Sequence, residues 1–193
     1  TALNQVTWSG SRFAAVGNSG VILTSVDGAT WSSQVSGTGQ NLRGIVWSGT
    51  QFVAIGANGT ILTSANGTAW SAQTSGTTNI LEAIVYTGSQ FVCAGYSGTM
   101  LTSANATSWT ARTSGTANDL YALSRTGSQL LAAGNNGTIL TSGDGITWTT
   151  RTSGSSSLLS GVSWSGSRFI VVGYNSSTFV PAILTSTDGV AWS

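Results

Sequence analysis

The sequence contains no histidine and no lysine, a single cysteine and a single proline, and only 6% charged residues, against about 25% in an average soluble protein. Each scarcity removes a class of chemistry. Without histidine, the usual proton shuttle and the commonest metal ligand are missing. Without lysine, a Schiff base or amine nucleophile is excluded. One cysteine cannot form an intrachain disulfide, and the apolar run Phe91-Val92-Cys93-Ala94 marks Cys93 as a small buried hydrophobe. Six arginines and five acidic residues give a net charge of +1 with no basic run, so a nucleic-acid partner lacks its electrostatic footprint. No stretch approaches the roughly 20 apolar residues of a membrane span. No charged, then apolar segment opens the chain, so no signal peptide is expected in it.

What is present is apolar and polar-neutral. The chain is 40% hydrophobic and carries eight tryptophans, which argues against disorder. Serine, threonine, asparagine, glutamine and glycine must supply solubility, and that lysine-free surface points to an extracellular or cell-surface location. The low net charge offers little repulsion against self-association, so a homo-oligomer or an extracellular assembly is an open expectation.

Internal repetition dominates the pattern. Leu3, Leu42, Leu81, Leu120 and Leu159 recur every 39 residues, dividing residues 1–193 into repeats near 3–41, 42–80, 81–119, 120–158 and 159–193. One unit reads LRGIVWSG, QFVAIGANG, TILTSANG and TAWSAQTSG. Each piece is a short apolar or β-branched run bounded by turn residues, the pattern of strands joined by tight turns. Asn-Gly and Asp-Gly pairs tolerate the positive φ that hairpin turns demand. Four strands per unit approach the ~40–45-residue period of four-stranded propeller blades. The spacing therefore predicts an all-β, five-bladed β-propeller of four-stranded antiparallel blades forming one domain. Its second strands (Phe52-Val53-Ala54-Ile55 and copies) are apolar on both faces, as blade stacking requires. A β-solenoid is the alternative, but hexapeptide coils repeat at much shorter spacing.

The turn after the third strand carries the most specific motif: SVDGATW at Ser25–Trp31, SANGTAW at Ser64–Trp70, SANATSW at Ser103–Trp109, SGDGITW at Ser142–Trp148 and STDGVAW at Ser186–Trp192. This resembles the Asp-box (BNR) repeat of sialidases and many secreted propellers. With the preceding Gly134-to-Thr141 context, it looks similar to bacterial repeats akin to photosystem II assembly-factor propellers. The resemblance spans all five units and implies a fold, not a function.

Within the motif, Asp27, Asp144 and Asp188 alternate with Asn66 and Asn105, so the position needs no charge. The side chain is expected to cap a tight turn through backbone N–H groups in preference to building a calcium site, which needs several converging oxygens. The partner column Trp31, Trp70, Trp109, Trp148 and Trp192 reads as packing between blades, with each indole N–H reaching a carbonyl. Sialidase-type catalysis would need an arginine triad, a Tyr/Glu pair and an acidic proton donor. Only Glu82 and Asp119 remain outside the motif turns. They fall near Tyr121 around one blade junction, but no motif specifies a site. The expectation is no enzyme, no cofactor and no metal.

Two departures mark the fifth repeat. It has five extra residues between Gly173 and Ile183, including Pro181, and it reaches Ser193 just after the motif Trp192. Its fourth strand should be short, and closure against the first blade should rest on face packing.

In an up-down blade, the second-to-third-strand turns and the blade-to-blade turns share one face, opposite the Asp-box turns. The first face gathers the variable positions: Asn18, Ala57, Tyr96, Asn135 and Tyr174 in one column, and Asn4, Arg43, Glu82, Tyr121 and Ser160 in another. The fifth-repeat insertion, with Phe179, falls there too. In propellers that this chain resembles, functional sites commonly lie away from the Asp boxes. The candidate ligand-binding set is Tyr96, Tyr121 and Tyr174 as platforms, with Arg43 and Glu82 as polar contacts. The alternative is the rim column Trp8, Trp47, Tyr86, Arg125 and Trp164, whose other reading is blade packing with Arg125 at an open edge. Aromatic rings beside amides and hydroxyls suit sugars, so multivalent glycan binding is the leading expectation. A structural or assembly component, or an amplified or engineered scaffold without a ligand, is the alternative.

Overall fold

The computed structural model describes residues 2–193; Thr1 lies outside the described residues. Among the described residues, nineteen strands form five antiparallel sheets, each following one repeat. Sheet one comprises β1 (Leu3–Trp8), β2 (Phe13–Gly17), β3 (Ile22–Ser25) and β4 (Ser32–Gln34), and sheet two β5 (Leu42–Trp47), β6 (Phe52–Gly56), β7 (Ile61–Ser64) and β8 (Ser71–Gln73). Sheet three contains β9 (Leu81–Tyr86), β10 (Phe91–Gly95), β11 (Met100–Ser103) and β12 (Thr110–Arg112). Sheet four contains β13 (Leu120–Arg125), β14 (Leu130–Gly134), β15 (Ile139–Ser142) and β16 (Thr149–Arg151). Sheet five has three strands, β17 (Leu158–Trp164), β18 (Phe169–Tyr174) and β19 (Pro181–Ser186). Strand order follows chain order throughout.

The outer strands are shorter than the repeat pattern suggested, at three residues each. In sheet five the fourth strand is reduced to one bridge, Ser193 with Thr185, closed by reciprocal backbone bonds of 2.8 and 3.1 Å.

The chain divides into two compact units, Thr1–Phe91 with Ser103–Thr110, and Val92–Thr102 with Ala111–Ser193. In the first unit, Ala14, Val16 and Ile22 of sheet one bury against Leu42, Ile45, Phe52, Ala54 and Leu62 of sheet two. In the second, Ala94 and Met100 of sheet three pack on Leu120, Ala132 and Leu140 of sheet four. Leu131, Ala133 and Ile139 of sheet four pack in turn on Leu159, Phe169 and Val171 of sheet five. Every residue of β6, β10 and β14 is buried. This is the two-faced burial that their unbroken apolar runs imply.

The β2–β3 type hairpins turn on two consecutive left-handed residues. Asn58 has φ 54° and Gly59 φ 62°, and Thr60 N–H donates to the Ala57 carbonyl at 3.1 Å. That is type I′ geometry, which matches the right-handed twist of the flanking strands. The glycines that end the second strands of sheets one, two and four, and Gly173 just before the end of β18, are required for space. A Cβ on Gly134 would fall on the Asp119 carbonyl oxygen, the acceptor for the Asn135 N–H at 2.9 Å.

Candidate functional site

The first strands of sheets one, two, four and five carry a β-bulge at the residue after the repeating Leu. Leu3 pairs with Gly17 and Gln5 with Val16, leaving Asn4 as the extra residue. Arg43, Tyr121 and Ser160 take the same place in sheets two, four and five. A bulge frees a side chain from the ladder and re-aims it. This explains why this column varies while its neighbours are fixed.

In the first unit, the bulge residues reach the first strand of the next sheet. Asn4 Nδ2 donates to the Leu42 carbonyl at 2.7 Å. Arg43 Nε lies 3.8 Å from Glu82 Oε2. Both groups are half-buried, and neither of those two atoms has a hydrogen-bond partner. Burial pushes the Glu82 carboxyl above its ordinary range, and the Arg43 charge pulls it partly back. The predicted polar contacts are therefore brought together, but engaged with each other.

In the second unit, Tyr96 and Tyr121 meet edge to face with ring centroids 5.8 Å apart. The Tyr121 hydroxyl donates to Asp119 Oδ2 at 3.4 Å, and Asn135 Nδ2 donates to the same oxygen at 3.3 Å. Asp119 Oδ1 accepts the Ser97 N–H at 2.8 Å. Burial, with the Asp119 charge and Tyr96 beside it, pushes the Tyr121 phenol up to about 12, so it remains a donor at neutral pH. Tyr174 is placed elsewhere in the unit. Its ring stacks on Phe179 at 6.1 Å with the planes only 9° apart.

Tyr174 and Phe179 are carried by the fifth-repeat insertion. β18 and β19 extend to a Tyr174–Pro181 pair. The Asn175 side-chain oxygen caps the loop by accepting from the Ser177 and Thr178 amides, both at 3.0 Å. Phe179 sits at φ 56°, a left-handed conformation costly for a bulky residue. Its N–H donates to the Asn175 carbonyl at 2.7 Å, and 75% of the residue is exposed.

The Asp-box turns have a second, structural role for their side chains. Asp27 Oδ1 accepts from Ala29 N–H and Thr30 N–H at 2.9 and 2.8 Å and from the Ser25 hydroxyl at 2.8 Å. Asn66, Asn105, Asp144 and Asp188 repeat the cap. The donated backbone bonds hold Asp27 down at about 2, and they lower Asp144 and Asp188 as well. Each motif indole donates to the carbonyl three residues back, Trp31 to Gly28 at 3.1 Å and Trp192 to Gly189 at 3.2 Å. In sheets one, two, three and five the motif tryptophan faces the Phe of its own sheet, as Trp70 does Phe52 at 6.2 Å, while Trp70 also lies against the cluster joining sheets one and two.

The rim column packs on those same phenylalanines. Ring centroids of Trp8, Trp47, Tyr86 and Trp164 lie 4.3–4.7 Å from Phe13, Phe52, Phe91 and Phe169. Arg125 breaks the series: it is exposed and stands opposite Leu130. In the same unit, an open groove of about 680 Å³ is lined by Thr126, Gln129, Asp144, Arg151, Trp164 and Phe169 among others.

Repeat comparison did not find Asp119 as a clasp. Asn41 holds the Ser19 amide at 2.8 Å in the same way, and the polar identity of residues 41 and 119 against Ile80 and Leu158 was the available signal.

No protein-family model matches the chain, and no curated protein sequence matches it. Similar folds exist among solved structures. One described as YCF48 bound to D1 peptide has a TM-score of 0.76 at 14% identity, over 99% of this chain and 65% of that one. YCF48 from Cyanidioschyzon merolae gives 0.73 at 17% identity, over 100% of this chain and 71% of that one. The WD40 beta propeller domain of Doa1 gives 0.72 at 13% identity, over 97% and 66%. The chain spans less than two thirds of the first of these structures. The fold class is that of a β-propeller, with five blade sheets in this chain.

Proposed function

We propose that the chain is a non-catalytic, protein-interaction or assembly propeller that takes a peptide segment on its hairpin-turn face, with the Tyr174–Phe179 pair as anchor and Tyr96 and Tyr121 beside their own hairpin as a further contact. The observation that carries this is Phe179. It is a largely exposed aromatic, held in a left-handed conformation and stacked on Tyr174, within a loop that the other four repeats lack. Strained, exposed positions are retained where the surroundings hold them for a purpose, and large aromatics are enriched among residues that dominate binding to proteins. The likeness to a YCF48 solved with a D1 peptide supports the same class of ligand. The Arg43–Glu82 pair, on the first unit, is proposed as a separate charged contact. A non-catalytic role fits the engagement of both remaining carboxyl residues, Glu82 with Arg43 and Asp119 with the Ser97 amide.

The test is to select peptides on the parent chain from a random display library and measure their affinity for Y174A, F179A and Y96A/Y121A. Loss of affinity by at least about tenfold in the first two, with an unchanged thermal transition, supports the assignment. Equal affinity for all variants overturns it. Glycan binding is the second reading, carried by the groove that places Trp164 beside Asp144, Arg151 and several hydroxyls. An extracellular site of action goes with it. Retention on a glycan array that W164A abolishes would establish it, and no retention by the parent would dismiss it.

A further inference from the structure

Each sheet has two unlike faces, and the chain builds the same junction between them repeatedly. The leading face carries the equivalents of Ala14, Val16 and Ile22, and the trailing face those of Leu42, Ile45 and Phe52. The same pairing recurs in the second unit, Ala94 and Met100 against Leu120, and Leu131 with Ile139 against Leu159 and Phe169. Two faces of this kind are left uncovered. On sheet one, the trailing face exposes Leu3, Val6 and Trp8: Val6 is 55% exposed, whereas its equivalent Ile45 is 2%. On sheet five, the leading face exposes Ile170, Val172 and Ile183: Ile183 is 66% exposed, whereas its equivalents Ile22 and Ile139 are 0%.

We propose that the chain self-associates head to tail, the Ile170–Val172–Ile183 face of one copy seating on the Leu3–Val6 face of a second copy. The occupant is a second copy because these surfaces are the two halves of a junction the chain already forms between its own sheets. The aliphatic positions correspond one to one, so no new complementarity has to be found. Contiguous exposed apolar surface of this kind marks an interaction site in a soluble protein, and a net charge of +1 opposes association little. A head-to-tail contact between unlike faces is heterologous and generates rings or open chains. Ile170, Val172 and Tyr174 alternate along one side of β18, so this face adjoins the Tyr174–Phe179 anchor proposed above, and the two proposals are separated by testing them with different substitutions.

The experiment uses light scattering after size exclusion on the full chain and on two variants, V6E and V172E/I183E. All three substitutions fall on exposed side chains, and the thermal transition reports whether each variant stays folded. The parent should show a mass that rises with concentration to multiples of the monomer. Each variant alone should be monomeric, its association weakened by about 100-fold or more because a carboxylate would be buried without a partner. An equimolar mixture of the two should form a one-to-one dimer and nothing larger, since only one intact leading face and one intact trailing face remain per pair. A monomeric parent overturns the proposal. Variants that still associate alone, or a mixture that stays monomeric, overturn it equally.

Discussion

The Asp119 carboxylate holds the Ser97 amide at 2.8 Å, fastening a hairpin of sheet three to the start of sheet four. Asn41 makes the same bond to Ser19 with a neutral side chain, so the clasp depends on an acceptor oxygen and not on charge. D119N should therefore keep the Ser97 bond but lose the acceptor for Asn135, so its thermal transition should fall by less than that of D119A. D119A also removes the acceptor for Tyr121 and Asn135 and should cost about 1–3 kcal/mol, at about 1 kcal/mol per bond, measured by urea unfolding.

Acid should act through the Asp-box caps. Asp27 falls from 3.8 to about 2 in the folded chain, and Asp144 and Asp188 are lowered too. A depressed folded value contributes stability above the ordinary carboxylate range and loses it as pH falls through the folded value. The thermal midpoint should drop mainly between about pH 4 and pH 2. The D27N/D144N/D188N variant should fold, since Asn66 and Asn105 make the same cap, and its midpoint should depend less on pH over that window. An unchanged slope would contradict the assignment.

The Arg43–Glu82 pair has the opposite sign. Burial raises the Glu82 carboxyl, so its charged form is the costly one and the folded chain gains stability as Glu82 takes up a proton. R43M removes the charge that pulls the Glu82 carboxyl back down. It should destabilise by about 1–2 kcal/mol at pH 7, less than for a fully buried pair. The loss should shrink toward pH 4. A pH-independent effect would point to lost packing by the arginine stem instead.

Cys93 is fully buried, and burial alone pushes its thiol well above the ordinary range. It should be inert to thiol reagents in the native chain and react only as the chain unfolds. Ala15, Ala54 and Ala132 fill the equivalent places, so C93A should cost no more than about 1 kcal/mol by urea unfolding.

The period, the hairpin turns and the Asp-box caps were legible in the sequence because each is local. Asn58-Gly59 sets its own turn, and Asp27 bonds residues two and three positions on. The clasp between Asp119 and Ser97 was not, since it joins residues 22 apart in different repeats and holds in only some of them. Tyr174 was singled out by its column, but its partner Phe179 lies in an insertion that has no column to compare. The bulge that re-aims Arg43 and Tyr121 leaves no mark in composition.

Backbone amide shifts of the isotope-labelled chain, recorded while a library-selected peptide is titrated in, test the functional account most directly. The account predicts that the largest changes fall on Tyr174 through Pro181 and on the Tyr96–Tyr121 hairpin, with the Asp-box turns unmoved. Changes confined to the Asp-box turns, or to the groove beside Trp164, would contradict it.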